Sequence, residues 1–152
     1  MKKRMMVWVV FLSVVGLLGG AAFAQFAKTE DAIKYRQSVM FLIGQHFSRM
    51  GAVVKGEQPY NKDAFAQNAV LVDTLYALPL EAFMVPGSDK GSNMKPEALT
   101  QKDKLTQLHQ AAQTQLDKLA AVAKGGDLNA IKAQFGAAGA SCKACHDAYH
   151  TQ

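Results

Sequence analysis

The chain has two cysteines, and they stand in the run Cys142-Lys143-Ala144-Cys145-His146. Side chains three apart on a helix leave the same face, so two such thiols can reach one planar partner together. The pattern C-x-x-C-H is the attachment signature of c-type haem. Each thiol forms a thioether with a haem vinyl group, and the following imidazole meets the iron as proximal ligand. Covalent tethering suits an exported protein, because the cofactor cannot be lost to the surroundings. Three other chemistries use the same residue types. A zinc site could take Cys142, Cys145, His146 and His150, but a closed zinc site normally draws its ligands from two elements. A thioredoxin-like redox pair belongs in a βαβ context. A Cys142–Cys145 disulfide inside one helix would strain the bridge geometry. One covalent haem c is the preferred reading, with these three as alternatives.

A haem needs further residues around it. Met40 is the candidate for the open face of the iron. It serves there as an apolar lid or, through its sulfur, as a sixth ligand, since Met/His ligation is a known haem arrangement. Met50, Met84 and Met94 are weaker candidates, better read as packing. Arg36 falls on an apolar stripe, where a charge is costly unless it is paired. A haem propionate is its natural partner, and an intrahelical pair with Asp31 or Glu30 is the alternative. Phe83 reads as pocket wall, and His46 and His109 read as surface residues. No nucleophile triad, phosphate loop or catalytic carboxylate pair is present in the sequence, so no enzyme is expected.

Helices must position these groups. No stretch alternates apolar and polar residues for long enough to suggest a sheet, whereas four stretches carry the helical period. The first has Ile33, Met40, Ile43, Phe47, Met50 and Val54 on one stripe with Arg36, Thr29 as N-cap, and Gly56 and Pro59 after it. The second, residues 61–78, carries Phe65, Ala69, Val72, Leu75 and Tyr76. A connection rich in Gly, Ser and Pro spans residues 79–96. The third helix, residues 96–124, shows Leu105, Leu108, Ala112, Leu116, Leu119 and Ala123, and ends at Gly125-Gly126. The fourth opens with Asp127 as N-cap. Its stripe is Leu128, Ile131, Phe135, Ala138, Cys142, Cys145 and Tyr149, whose alternating steps of three and four make the seam of a left-handed bundle. The expected fold is all-α, an up-down-up-down four-helix bundle with covalently bound haem, in one domain over residues 25–152.

The 152-residue chain carries 17 Lys and Arg against 12 Asp and Glu, a formal +5 that first suggests a nucleic-acid or membrane binder. The N-terminus removes that reading. Lys2, Lys3 and Arg4 precede an apolar run from Met5 to Leu18, and Ala22-Phe23-Ala24 forms an A-x-A cleavage site, the layout of a secretory signal peptide. Without residues 1–24 the balance is 14 against 12, and no Lys/Arg stripe marks a nucleic-acid surface. The expected product is exported to the periplasm, with no membrane contact after cleavage.

These features together carry a family resemblance. Gln25-Phe26-Ala27-Lys28, Tyr35-Arg36-Gln37-Ser38, Val53-Val54-Lys55-Gly56, Leu78-Pro79 with Phe83, and the run from Gly139 to Tyr149 resemble cytochrome c prime and its class II c-type relatives. Cytochrome c′ is itself a type example of the bundle architecture. The resemblance implies a periplasmic, often homodimeric haem protein, with five-coordinate high-spin iron that binds nitric oxide and carbon monoxide. It places Arg36 and Gln37 at the haem propionates, with Met40, Phe83, Tyr149 and His150 around the ring. Family members often carry Arg four residues after the haem His; here that residue is His150, a group that titrates near neutrality. With Met40 ligated, the protein would instead resemble the low-spin class II electron carriers. Either way it would exchange single electrons with a redox partner that the sequence does not specify. A dimer is also expected from Val39-Met40-Phe41-Leu42-Ile43. At 100° per residue this run covers every side of its helix, leaving Leu42 on the outer face with Tyr35, His46 and Val53.

Overall fold

The computed structural model describes residues 25–151, and the leader assigned to residues 1–24 lies outside them. Six helices follow in order: α1 (Thr29–Val54), α2 (Lys62–Tyr76), α3 (Leu80–Phe83), α4 (Glu97–Thr100), α5 (Lys102–Gly125) and α6 (Leu128–Tyr149). The four long ones form a closed ring, with α1 on α2, α2 on α5, α5 on α6, and α6 back on α1. This is the expected four-helix bundle.

Short links turn the chain back on itself between α1 and α2 and between α5 and α6. Local chemistry sets those turns. After α1, Gly56 takes φ +81, Gly56 N–H donates to the Val53 carbonyl, and Glu57 N–H donates to the Ala52 carbonyl. That pairing is a Schellman motif, which satisfies carbonyls the helix end would leave bare. Asn61 caps α2 by accepting from Ala64 N–H, and Asp127 caps α6 by accepting from Asn129 and Ala130. Gly126, between α5 and α6, sits at φ +83 with Lys62 against it, so a Cβ there would be both strained and crowded.

Three boundaries differ from the sequence reading. The N-cap of α1 is Lys28, without a side-chain bond, and Thr29 is already helical. The expected third helix is broken at Gln101 (φ −112, ψ 45), giving the short α4 and the long α5. Gln101 begins no regular turn, yet its carbonyl accepts from Leu105 N–H and so starts α5. The connection after Pro79 also holds a turn of helix, α3.

The main core joins all four long helices: Ile43 and Met50 of α1, Phe65 and Val72 of α2, Leu116 and Leu119 of α5, Ile131 and Ala138 of α6. Each large aliphatic side chain so buried contributes about 1.5–3 kcal/mol. A second cluster, Met94, Ala98, Leu105 and Tyr149 with Phe83 and Cys145 against it, lies where the connection meets the end of α6. There Lys95 N–H donates to the Tyr149 carbonyl and Thr151 N–H to the Asn93 carbonyl, pairing Met94 with His150 in a single antiparallel bridge. The connection is thus stitched to the residues that directly follow the C-x-x-C-H run.

Candidate haem site

Small residues fix how α1 meets α6. A Cβ on Gly51 would lie 3.4 Å from the Phe135 ring, and one on Gly139 would lie 3.8 Å from the Phe47 ring. Phe47 and Phe135 stack at 4.2 Å between centroids. The two helices are therefore antiparallel, with Gly51 level with Phe135 and Phe47 level with Gly139. The same register, continued seven residues along each helix, brings Met40 level with His146.

Around that level lies a cavity of about 410 Å³. On one side α6 contributes Cys142, Cys145, His146 and Tyr149, followed by His150. On the other, α1 contributes Arg36, Gln37, Met40 and Phe41, with Ile43, Gly44 and Phe47 further down. Phe83 of α3 and Asn93 and Met94 of the connection also line it. Val72 and Tyr76 of α2 and Leu105, His109 and Leu116 of α5 complete the wall. All nine residues that the sequence reading assigned to the haem line this one space.

The donor set fits a covalently bound haem. The two cysteines are unbridged thiols, three apart on one helix, and both border a largely apolar cavity. Burial pushes both thiols above their ordinary pKa. At Cys145 the neighbouring Cys142 adds to this, and at Cys142 a bond from Ser141 opposes it. Catalytic redox cysteines need the opposite shift. The thioredoxin-like reading lacks its βαβ context, since the described residues form helices and no strand. Among the described residues, no three His, Cys, Asp or Glu side chains stand close enough together to hold a metal ion, which removes the zinc alternative. Burial, then the neighbouring His150, lowers the His146 pKa, while Asp147 opposes them. A neutral imidazole with an available lone pair is what iron requires. The rings of His146 and His150 lie 5.6 Å apart.

Arg36 is buried, but not against Asp31 or Glu30. Its Nη2 donates to the Ser88 carbonyl at 3.0 Å and to Ser92 Oγ at 2.9 Å. Nη1 donates to Ser88 Oγ at 3.3 Å and to Met94 Sδ at 3.4 Å. The guanidinium also sits 4.9 Å from the centroid of Phe83. Arg36 therefore pins the connection against the cavity, and the intrahelical pairing is excluded. Tyr149 is buried, its hydroxyl donating to Gln101 Oε1.

His109 corrects the sequence reading. It is buried at 7% exposure, lines the cavity, and donates from Nε2 to the Tyr76 carbonyl at 2.9 Å. A signal for this existed: His109 lies four residues after Leu105 and three before Ala112, on the apolar stripe. His46 is half-buried at the α1–α2 seam, Nδ1 against Asn68 Oδ1 at 2.7 Å, away from the cavity lining. Met50 is core, whereas Met94 both lines the cavity and accepts from Arg36.

Comparison with known proteins agrees with this geometry. A family model described as Cytochrome C′ matches residues 31–150. Cytochrome c′ of Alcaligenes xylosoxydans xylosoxydans is 49% identical over 125 residues, covering 82% of this chain and 97% of that protein. Cytochrome c′ of Rubrivivax gelatinosus is 42% identical over 127 residues, 82% of this chain and 98% of that one. Among solved structures, the chain is similar to a nitric oxide complex of a leucine-to-alanine mutant of cytochrome c prime from Alcaligenes xylosoxidans. That match has a TM-score of 0.79 at 47% identity and covers 84% of this chain and 99% of the other. A carbon monoxide-bound leucine-to-glycine variant from the same source matches with TM-score 0.79 at 47% identity, over 84% of this chain and 100% of the other.

Proposed function

The chain belongs to the cytochrome c′ family, and on that premise we propose that it is a periplasmic five-coordinate haem protein that binds nitric oxide and carbon monoxide and passes single electrons. The family's cofactor is a c-type haem attached through cysteines, and here Cys142 and Cys145 are the residues to hold it, with His146 as proximal ligand. When bound, the haem supplies a one-electron couple and one coordination position for a small gas.

The observation that carries the reading is the register of α1 against α6. It sets Met40 at the level of His146, so with a haem bound between them an imidazole would meet the iron from one helix and an apolar side chain would cover the other face. One turn from Met40, both terminal nitrogens of Arg36 donate to the connection, at Ser88, Ser92 and Met94. A methionine over the iron would offer a bound gas no hydrogen-bond donor, which disfavours dioxygen but not nitric oxide or carbon monoxide. The similar structures with nitric oxide and carbon monoxide support the ligand class. Arg36 and Gln37 stand at the connection end of the cavity, where a propionate would meet them. Proteins of this kind bind and exchange electrons without transforming a substrate.

Export is carried by the leader at residues 1–24, and among the described residues no helix is long and apolar enough to cross a membrane. We place a homodimer interface on the outer face of α1 and α2. Phe41 (65% exposed) and Leu42 (44%) of α1, Val70 and Leu71 of α2, and Leu78 just beyond it are exposed. Because His46 meets Asn68, Leu42 is level with the Leu71–Val72 step.

Two measurements test the assignment. Haem that resists acid-acetone extraction from the wild type, and is released from a Cys142→Ser/Cys145→Ser variant, is the expected result. Haem retained by the double variant would end it. A high-spin ferric visible spectrum is expected next; a far-red Met–iron charge-transfer band would replace the five-coordinate reading with Met40 as sixth ligand.

A further inference from the structure

Only one imidazole in the cavity wall is left without a task by the haem assignment, and it belongs to α5. His109 is buried, and its ring stacks on Tyr76 at 4.6 Å between centroids and 16° between planes. Nε2 lies 2.9 Å from the Tyr76 carbonyl. A carbonyl can only accept, so Nε2 carries the hydrogen and Nδ1 carries a lone pair. Among the described residues Nδ1 has no hydrogen-bond partner. The ring is thus a fixed tautomer with a vacant basic nitrogen, held in the wall of the space that Cys142, Cys145 and His146 also border.

Resting on the haem reading above, we propose that His109 is the proton acceptor of a proton-coupled electron transfer: it gains a proton at Nδ1 when the haem gains an electron, and loses it on oxidation. The step balances. A one-electron donor would reduce ferric to ferrous iron, a hydronium ion or buffer acid from solvent would give up one proton as its O–H bond breaks, and an N–H bond would form at Nδ1. The cause is electrostatic. Reduction adds one negative charge inside a low-dielectric space, and such a space transmits that charge to a neighbouring base far better than water does. Burial lowers the His109 pKa, opposed by its bond to the Tyr76 carbonyl, which favours the neutral ring.

The other titratable groups around His109 cannot take this part. From α1, Arg36 already carries its charge and has no lone pair to take a proton. From α2, Tyr76 is pushed above its ordinary pKa by burial, so it neither gives nor takes a proton near neutrality. From α6, the two thiols and His146 are committed to the haem, and the Tyr149 hydroxyl is raised as well. His150, exposed beyond α6, and Asp73 of α2, whose carboxyl burial raises to about 6, are the competitors. The connection contributes only Asn93 and Met94, which do not titrate. On α5 itself the next turn holds Gln113, whose Nε2 donates to Asp73 Oδ1 at 2.6 Å and Asp117 Oδ1 at 3.2 Å.

Spectroelectrochemical titration of the haem-loaded protein between about pH 5 and pH 8 tests this. The wild-type midpoint should fall as pH rises below 6.5, the ordinary imidazole value. The steepest slope should approach a tenfold change in the redox equilibrium per pH unit, about 59 mV for one electron. His109→Gln keeps an N–H for the Tyr76 carbonyl but cannot take a proton, so it should show an unchanged haem spectrum and a flat potential over the same window. A slope that survives in His109→Gln, whether it then disappears in His150→Gln or not, overturns the proposal. Should His109→Gln fail to hold haem, proton uptake on reducing the wild type in weak buffer decides: none below that pH refutes the idea. Loss of covalent haem from the wild type would instead strike the functional reading itself.

Discussion

Met40 is the side chain on which gas access turns. It is half-buried, lines the cavity from α1, and shares a level with His146. Removing it lowers the steric cost of a sixth ligand without touching the attachment residues. Met40→Ala should therefore speed carbon monoxide association, tenfold for each ~1.4 kcal/mol of crowding removed. Stopped-flow mixing of the ferrous protein measures this directly, and unchanged kinetics would mean that Met40 does not cover the iron. Asp73 gives a second prediction at this scale, in pH. Burial, then the hydrogen bond and charge of Asp117, raise its pKa to about 6 from 3.8, while Gln113 and Lys124 oppose the rise. A carboxyl raised in the folded state adds stability below pH 3.8 and loses that contribution as pH climbs through about 6. Asp73→Asn should accordingly flatten the fall in melting temperature over that window. The carboxyl is half-buried and still reached by solvent, so screening holds the effect under about 1 kcal/mol. A melting profile identical to wild type would show that the pair does not share a proton.

At the scale of elements, the site depends on where α6 begins. Asp127 accepts from Asn129 N–H at 2.9 Å and Ala130 N–H at 3.4 Å, which fixes the first turn of the helix that carries Cys142, Cys145 and His146. Losing such a cap costs about 1 kcal/mol. Asp127→Ala should lower the melting temperature by roughly 4 °C. The haem spectrum should not change, because Phe47 and Phe135 still lock α6 against α1 nearer the site. A spectral change larger than the stability change would place the cap, rather than the aromatic stack, in control of register. The connection is an element too, though it lacks regular structure. Arg36 holds one part of it and the Met94–His150 bridge holds the other, so a segment without periodicity still closes one end of the cavity.

For the whole molecule, the open question is how many copies assemble. Leu42 lies on the outer side of α1, next to exposed Phe41 and level with exposed Leu71 across the seam. Tyr35, expected to need a partner there, is already half-covered by Phe26, with ring centroids 5.4 Å apart, and Val53 packs on the main core. The remaining apolar surface is Phe41, Leu42 and the outer side of α2. A two-fold dimer through it would be isologous, each copy covering the same patch on the other. Leu42→Lys should give monomers with the parent haem spectrum in sedimentation equilibrium. A wild type that sediments as a monomer at high micromolar concentration leaves no dimer to disrupt.

Much of this protein was legible before any coordinate, and the legible part is local. Helical period, the glycine stops and the Asp127 cap act within a turn or two, so neighbouring residues determine them. The C-x-x-C-H spacing is likewise a property of one helical turn, and the alternating stripe of α6 pointed its thiols inward. What sequence could not decide was which of two adjacent faces turned toward the core. Leu108 and His109 stand 100° apart on α5, and each is three or four residues from Leu105 and Ala112. Packing against α2 chose His109, because the Tyr76 carbonyl was there to receive its Nε2 hydrogen and the Tyr76 ring to lie against it. Arg36 found its partners 52 and 56 residues away, on a connection with no periodicity to read. The level of Met40 against His146 was set by Gly51 meeting Phe135 and Gly139 meeting Phe47. Such long-range registers follow from how side chains of distant segments interdigitate, and only the assembled tertiary structure determines that.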